Sequence, residues 1–424
     1  MGPRTGTHAR GSPAGLQGRR PPEPGWAESR RRRGLPHGGD HARPGGRGGP
    51  HGPGGTESPG RPIGPARVPA SRGGSLALCP GLHGGLRHDR DAEAAPGQET
   101  GVAVISRLSA EAIDLGAGVR SVLAGAGGVE LVRRYLVDPA SREQEIESLL
   151  QPLGLWDLDV TDSQIELEAA AEACRVGGTT ALPYPIAERL ASGSAGSWAT
   201  LVDGPGPALI AHGDLEGPWQ ALDLAGRTFT VTGAGGGVVG GRLAPFLGAV
   251  EVSTSDSVDD PALAARVGTL QSWWLLGVLQ RAVDDTRVYL TEREQFGRQL
   301  AQFQALRFQL ADMSVAVQRS EELAKYTAWS LAHHDPSEQV VDAIALRQGL
   351  IQACETVLRG SHQLYGAMGF CDETDVSILS RLSHSVRRLP VGEEDLATLL
   401  GTMILDRGFR GPFATLGGPI EARA

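Results

Sequence analysis

Lysine and asparagine are almost absent from this chain: its 424 residues include one Lys, Lys325, and no Asn. Because the codons of both residues are rich in A and T, their scarcity indicates a GC-rich gene. GC-rich DNA translated in almost any frame gives Arg, Gly, Pro and Ala, the residues that dominate residues 1–100. We therefore hypothesise that the translation start has been assigned too far upstream, so that part of residues 1–100 is not made in the native protein. Native peptides from residues 20–90 in mass spectrometry would contradict this.

Cysteine and long apolar runs are scarce as well. Cys79, Cys174, Cys354 and Cys371 are far apart and form no Cys-x-x-Cys pair, which argues against a disulfide framework and a zinc site. No apolar run approaches the ~18 residues of a membrane-spanning helix. No apolar core of about 7–15 residues follows the basic N-terminus, as it would in a secretory signal. The sequence therefore predicts no metal, no membrane association and a cytoplasmic location.

The positive charge is confined to the first hundred residues. Residues 1–100 contain 15 Arg and eight acidic residues, with 24 of the 60 Gly and 15 of the 28 Pro, whereas the remaining residues contain 25 basic and 41 acidic side chains. Without apolar periodicity this segment cannot bury enough surface to offset its chain entropy, so we predict that it is disordered. An Arg/Gly tail can also bind nucleic acid through phosphates. Trp26 is its only aromatic residue, however, and we expect no nucleic-acid partner.

The rest of the chain divides into three predicted domains. Residues 101–204 are expected to form a helical domain, and residues 205–258 a small β domain with short strands at 208–211, 219–222, 228–232 and 249–253. Residues 259–424 are expected to form long helices, because apolar residues recur at three- to four-residue spacing from Pro261 onward. The predicted fold class is α+β and mostly α, with a long four-helix bundle at the C-terminal end.

A glycine-rich segment offers one candidate motif. Gly235, Gly237 and Gly240 fit the pattern GxGxxG after a predicted strand, which is typical of a dinucleotide-binding turn. The following segment, 241–247, is short and contains Pro245, whereas a crossover unit needs at least about ten residues. We interpret the motif as a loop, and an NAD-dependent oxidoreductase acting through Gly235–Gly240 is an alternative.

A second motif in 289–313 is more specific. It is similar to a pattern of the acyl-CoA dehydrogenase family, in which Arg-x-x-Phe-Gly is followed along the chain by a Leu, a Gln and then Leu-Ala-Asp-Met. The matching residues are Arg293, Phe296, Gly297, Leu300, Gln304 and Leu310 to Met313. A guanidinium at a helix end suits bidentate binding of a pyrophosphate. The resemblance implies that Arg293, Phe296 and Gln304 contact the FAD of a neighbouring subunit.

A third motif, at 360–370, supports the second. The family has a Gln followed by Gly-Gly-x-Gly-Phe at the same place in its bundle, and Gln363, Gly366, Gly369 and Phe370 match. Glycines let backbone N–H groups approach phosphates closely. The resemblance therefore implies Gln363 and Gly366 as further cofactor-binding residues. Ala367 replaces the family's second Gly, and its methyl group would loosen that approach.

The resemblance implies an oxidoreductase acting on a CH–CH group. In this family a carboxylate removes the α-proton of an acyl-CoA, the β-hydride passes to FAD, and the product is the 2,3-enoyl-CoA. The Glu that many members carry about 20 residues after the glycine loop falls on Pro390 here. The other family position falls near Val267, in a stretch without a carboxylate. Glu393 and Glu394 follow Pro390 closely, and Glu393 is the remaining candidate base.

Because both family positions of the base lack a carboxylate, we hypothesise that the chain works in a mixed assembly of two different subunits. A paralogous partner would supply the base and part of the flavin site, and this chain would lend Arg293, Phe296, Gln304 and Gln363. Bacterial family members that act on steroid-derived acyl-CoA are built in this way, so fatty acid or steroid degradation is the expected context, with an electron-transfer acceptor. A homo-oligomer and a non-catalytic structural subunit with a degenerate flavin site are alternatives. We also expect Trp273 and Trp274 on an exposed bundle face, which would require oligomerisation.

Overall fold

The computed structural model describes residues 107–408. The predicted disordered segment, residues 1–100, lies outside these residues. The N-terminal helices are α1 (Ala110–Gly125), α2 (Val129–Val137), α3 (Arg142–Leu150), α4 (Gln164–Thr179) and α5 (Ile186–Ala191). The C-terminal helices are α6 (Pro261–Glu292), α7 (Gln304–His333), α8 (Pro336–Tyr365), α9 (Asp375–Arg388) and α10 (Glu393–Arg407). The predicted class, α+β and mostly α, is confirmed.

Two of the long helices begin with an Asp-Pro pair. The side chain of Asp260 accepts a hydrogen bond from the backbone N–H of Leu263, and Pro261 occupies the first helical position. Asp335 precedes Pro336 and caps α8 in the same way. Carboxylates at N-caps satisfy backbone donors that have no partner within the helix, and proline presets the first helical turn. The start of the bundle at Pro261 was predicted from this signal.

A five-stranded sheet lies between the two helical parts. Its strands are β1 (Trp198–Leu201), β2 (Gly206–Ala211), β3 (Trp219–Leu222), β4 (Thr228–Thr232) and β5 (Leu247–Thr254). The order is β1-β3-β4-β5-β2, and β1 pairs with β3 in parallel while the other pairs are antiparallel. The bounds of β3 and β4 are those predicted from the sequence, whereas β1 was missed.

Helices α4 and α6 cross with their backbones in contact. A Cβ atom added to Gly277 would lie 1.8 Å from the carbonyl oxygen of Arg175, and one added to Gly178 would lie 1.9 Å from that of Trp274. Such distances leave no room for any side chain larger than hydrogen. The crossing therefore attaches the N-terminal helices directly to the bundle.

Trp273 and Trp274 correct one prediction. They are 1% and 5% exposed, so both lie inside the fold of a single chain. Their helix is covered on several sides, by α4, α7 and α8, rather than only on one face. These two residues therefore provide no exposed patch and no argument for oligomerisation.

Membrane-spanning segments were also searched for within residues 107–408. No single helix there is both long and apolar enough to cross a bilayer. The bent pair α1 and α2, which turns by 55°, meets the test on length and composition alone.

Candidate functional site

Both sequence motifs of the bundle lie at one of its ends, where α6 ends, α7 begins and α8 ends. The rings of Tyr289 and Tyr365 stack with their centroids 4.1 Å apart, which joins the last turns of α6 and α8. The hydroxyl of Tyr365 donates a hydrogen bond to the carbonyl oxygen of Asp285 at 3.0 Å. Burial raises the pKa of the Asp285 carboxyl group to about 6, although the neighbouring Arg281 opposes this. The end of the bundle is thus built from packed aromatic and ionic contacts.

A short hairpin projects from this end. Its strands are β6 (Glu294–Gln295) and β7 (Arg298–Gln299), and the two residues between them, Phe296 and Gly297, have φ values of 56° and 77°. Two positive φ values suit a tight two-residue hairpin, but a phenylalanine in this region is strained by about 1–3 kcal/mol. The Phe296 side chain is 90% exposed. It contributes little to the core of its own chain, so we infer that it serves an external contact.

Arg293 and Gln304 flank the hairpin. Arg293 caps the C-terminus of α6, and its carbonyl oxygen accepts a hydrogen bond from Leu300 N at 2.9 Å, which closes the base of the hairpin. Its side chain is exposed, and within residues 107–408 its guanidinium makes no ion pair. Gln304 is the first residue of α7 and is exposed as well. Both polar groups are therefore available to a ligand or a second chain.

The glycine motif forms a 3-10 turn, Gly366–Phe370, at the end of α8. Gly366 has a φ of 61°, and a Cβ atom on buried Gly369 would lie 3.1 Å from the Cα of His362. Phe370 is 73% exposed and stacks on His362 at 4.8 Å. Gln363 lies on the last turn of α8 with an exposed side chain. The five predicted cofactor-binding residues thus all lie at this one end and are exposed.

The predicted positions of the base hold no usable carboxylate. Pro390 lies in the turn between α9 and α10, and Val267 is fully buried in α6. Glu393 is the first residue of α10 and is exposed, with its Oε1 atom 3.5 Å from Nε2 of Gln348. This places the remaining candidate on the surface of the chain.

The interior behind the α9–α10 turn is filled by a polar network. Arg347 of α8 is 1% exposed and donates hydrogen bonds to Gln271 Oε1 at 3.1 Å and to the carbonyl oxygens of Val386 and Leu389. The Gln271 amide in turn donates to Glu188 Oε1 at 2.8 Å. Burial lowers the pKa of Arg347 to about 10 and raises the pKa of Glu188. The network spans α5, α6, α8 and α9.

A small cavity lies beside this network. It has a volume of about 10 Å³, which holds about one water molecule. Its lining comes from α6, α8 and two residues near the sheet, namely Leu201, Leu224, Ala264, Ala265, Gly268, Val340, Ala343, Ile344 and Arg347. Ala264, Ala265 and Gly268 belong to the stretch of α6 that corresponds to the family's second position for the base. A cavity of this size is too small for an acyl group.

The glycine-rich segment 233–240 does not form a dinucleotide-binding turn. The strand before it, β4, is antiparallel to the strand after it, and only a three-residue 3-10 turn, Gly241–Leu243, lies between them. A crossover helix would require parallel strands. The alternative of an NAD-dependent enzyme acting through Gly235–Gly240 is therefore wrong. Among the described residues, no group of three or more His, Cys, Asp or Glu could hold a metal ion.

A helical domain, a small sheet and a bundle of long helices with an exposed Arg-x-x-Phe-Gly hairpin define an acyl-CoA dehydrogenase fold. Residues 267–393 match the family model described as "Acyl-CoA dehydrogenase, C-terminal domain". The resemblance found in the sequence is confirmed for this segment, which matches that family's model.

Sequence relatives match a segment of about the same length as the family model. The probable acyl-CoA dehydrogenase YngJ of Bacillus subtilis is 28% identical over 120 residues, which are 28% of this chain and 30% of that protein. The matched segment thus spans less than a third of the relative's length.

Solved structures match over a longer range. A chain of the ChsE4–ChsE5 complex from Mycobacterium tuberculosis has a TM-score of 0.57 at 17% identity, covering 72% of this chain and 99% of that one. A glutaryl-CoA dehydrogenase from Mycobacterium smegmatis, solved in complex with FADH2, has a TM-score of 0.55 at 13% identity, covering 72% of this chain and 97% of that one. At these identities the similarity concerns the fold. FAD is the cofactor of this family, as expected from the sequence.

Proposed function

We propose that this chain is one subunit of a flavin-dependent acyl-CoA dehydrogenase of mixed composition. In this proposal it binds part of an FAD molecule, and a paralogous subunit provides the base and the acyl-binding site. One contrast carries the proposal. The residues predicted to face FAD are exposed at one end of the bundle, whereas the positions of the base hold Pro390 and Val267 and the adjacent interior is closed.

The residues at the exposed end fit a flavin dinucleotide. Arg293 presents a guanidinium without an ion-pair partner in the described residues, which can pair with a pyrophosphate bidentately. Phe296 offers an exposed aromatic face, and Gln304 and Gln363 offer amide groups. Gly366 at positive φ lets the backbone come close to a phosphate. FAD, when bound, supplies the hydride acceptor, and the residues of this chain bind and orient it.

An exposed apolar stripe supports a partner subunit. Phe308 and Val315 lie seven residues apart on the same face of α7 and are 61% and 62% exposed. Phe296, in the hairpin that precedes α7, is exposed as well. Exposed large apolar groups grouped in this way are typical of contact surfaces between chains. The solved ChsE4–ChsE5 complex joins two different chains, and by analogy we propose a paralogue as the partner here.

The closed interior also favours a second candidate function, that of a structural subunit with a degenerate flavin site. The two candidates differ in whether flavin is bound with this chain present. In the first candidate function, the substrate is an acyl-CoA, of fatty acid or steroid origin, that binds to the partner, and an electron-transfer protein reoxidises the flavin.

Removing the Glu393 carboxylate tests where the base resides. Because Glu393 is exposed and the partner provides the base, Glu393→Gln in the mixed enzyme is expected to leave kcat within about twofold of the wild type. Glu394→Gln, the neighbouring exposed carboxylate, serves as the control. A loss of about 10²-fold or more in kcat for Glu393→Gln alone would assign the base to this chain and overturn that part of the proposal.

A further inference from the structure

The segment that follows the glycine turn is held by an arginine from the N-terminal helices. Arg133 of α2 donates hydrogen bonds to the carbonyl oxygens of Asp372 and Glu373 and to Asp375 Oδ1, the last at 2.5 Å. Arg281 of α6 holds the other oxygen of Asp375 at 2.8 Å. One carboxylate at the start of α9 thus joins α2 and α6.

A second arginine reaches the same segment from the β domain. Arg242, in the 3-10 turn after the glycine-rich loop, contacts Asp372 Oδ2, and Arg381 of α9 binds Asp372 Oδ1 at 3.0 Å. The hydrogen bond from Arg242 lowers the pKa of the Asp372 carboxyl group. We refer to the six residues Arg133, Arg242, Arg281, Arg381, Asp372 and Asp375 as the arginine clamp.

The clamp is coupled to the glycine turn through short backbone links. Cys371 N donates to the carbonyl oxygen of Met368 at 3.0 Å, and the Thr374 hydroxyl donates to the same oxygen at 3.0 Å. Asp372 lies between these two residues. A displacement of Asp372 is therefore transmitted directly to the turn Gly366–Phe370.

Ion pairs of this kind do little for overall stability. The Arg242 and Asp372 side chains are 69% and 54% exposed, and exposed pairs contribute little because solvent screens them. The glycine-rich loop nevertheless ends in a tight turn, since a Cβ on Gly240 would lie 2.2 Å from the carbonyl oxygen of Ala244. That turn carries Arg242 to the α9 side of the molecule. The contact is thus better explained by placing a neighbouring segment than by stabilising the fold.

We propose that Arg133 and Arg242 are positioning residues of the flavin site, which hold the glycine turn from the N-terminal helices and from the β domain. This inference rests on the proposed function, in which the turn faces FAD. It also gives the glycine-rich loop a role other than dinucleotide binding. In this proposal the arginines act on the cofactor through the turn.

Three variants and one control test the clamp. Arg242→Gln removes an exposed contact and leaves the fold intact, Arg133→Gln removes the contact from α2, and Arg242→Lys keeps the charge. Arg359→Gln, which breaks an exposed pair with Glu355 on α8, is the matched control. Hydrogen exchange of residues 366–375 is measured in the full chain, and FAD affinity in the complex with the partner subunit.

We expect exchange at residues 366–375 to be about tenfold faster in Arg242→Gln and Arg133→Gln, and FAD to bind about tenfold more weakly. Arg242→Lys should keep the exchange rate and the FAD affinity close to those of the wild type. Arg359→Gln should change neither quantity. Unchanged exchange in both Gln variants, or faster exchange with unchanged FAD affinity, would overturn the positioning role. If the wild-type complex binds no FAD, the proposed function fails, whereas the exchange data still decide whether the clamp holds the turn.

Discussion

Replacing Gly277 with alanine is expected to lower the free energy of unfolding by about 3 kcal/mol or more, because the added methyl group overlaps a backbone atom. The Cβ would lie 1.8 Å from the carbonyl oxygen of Arg175. A side chain could rotate away from such an overlap, but a helix backbone cannot. Helices α4 and α6 must therefore separate, and the apolar contacts of Trp273 and Trp274 along the crossing weaken with them. Denaturant unfolding of the two proteins measures the difference.

Gly401→Ala is the matched control. Gly401 lies within α10, and a Cβ there would meet nothing within 4 Å. Alanine has a higher helix propensity than glycine, so this variant is expected to be more stable by about 0.5–1 kcal/mol. The same substitution should thus lower the free energy of unfolding at Gly277 and raise it at Gly401. Equal unfolding free energies for the two variants would contradict the backbone contact between α4 and α6.

Replacing Arg293 with alanine is expected to weaken FAD binding to the mixed enzyme by about 10- to 100-fold, the loss of a charge-assisted hydrogen bond of roughly 1.5–3 kcal/mol. Arg293→Lys keeps the charge but loses the bidentate geometry, and an intermediate affinity is expected. The melting temperature of the apo chain should not change, because the side chain is exposed and makes no ion pair within residues 107–408. Titration of apo enzyme with FAD gives the affinities.

Arg319→Ala provides the comparison for Arg293. Arg319 is also exposed, but it lies near the middle of α7, away from the hairpin. Its removal changes the net charge equally and should leave the FAD affinity unaltered. Equal FAD affinities of the Arg293→Ala and Arg319→Ala variants would remove Arg293 from the flavin site.

The sequence predicted those elements whose signals are local. An Asp-Pro pair marks the start of α6 at Pro261, and alternation with β-branched residues marks β4 at Thr228–Thr232. Strand β1 was missed because all four of its residues are buried, and a short, continuous apolar run cannot be assigned from periodicity. The backbone contact at Gly178 and Gly277 was missed although glycine is costly inside helices, which is a signal of close packing.

The sequence predicted the part of the candidate site that depends on local spacing, but not the part that depends on how the helices pack. The residues around Arg293 and Gly366 follow fixed spacings along the chain, so they could be found by pattern. The exposure of Trp273 and Trp274 depended on how α4 packs on α6, which no local pattern contains. The polar network around Arg347 forms where four helices meet, which no local pattern predicts. A site shared between two chains takes only part of its residues from each sequence.

The absorbance spectrum of the purified chain, alone and co-expressed with a paralogue encoded beside it, tests the central claim most directly. A shared flavin site predicts colourless protein from the chain alone and yellow protein with flavin bands from the complex. Flavin bands from the chain alone, with acyl-CoA turnover, would show a self-sufficient enzyme and contradict the account. A colourless complex would contradict it as well and would favour a purely structural subunit.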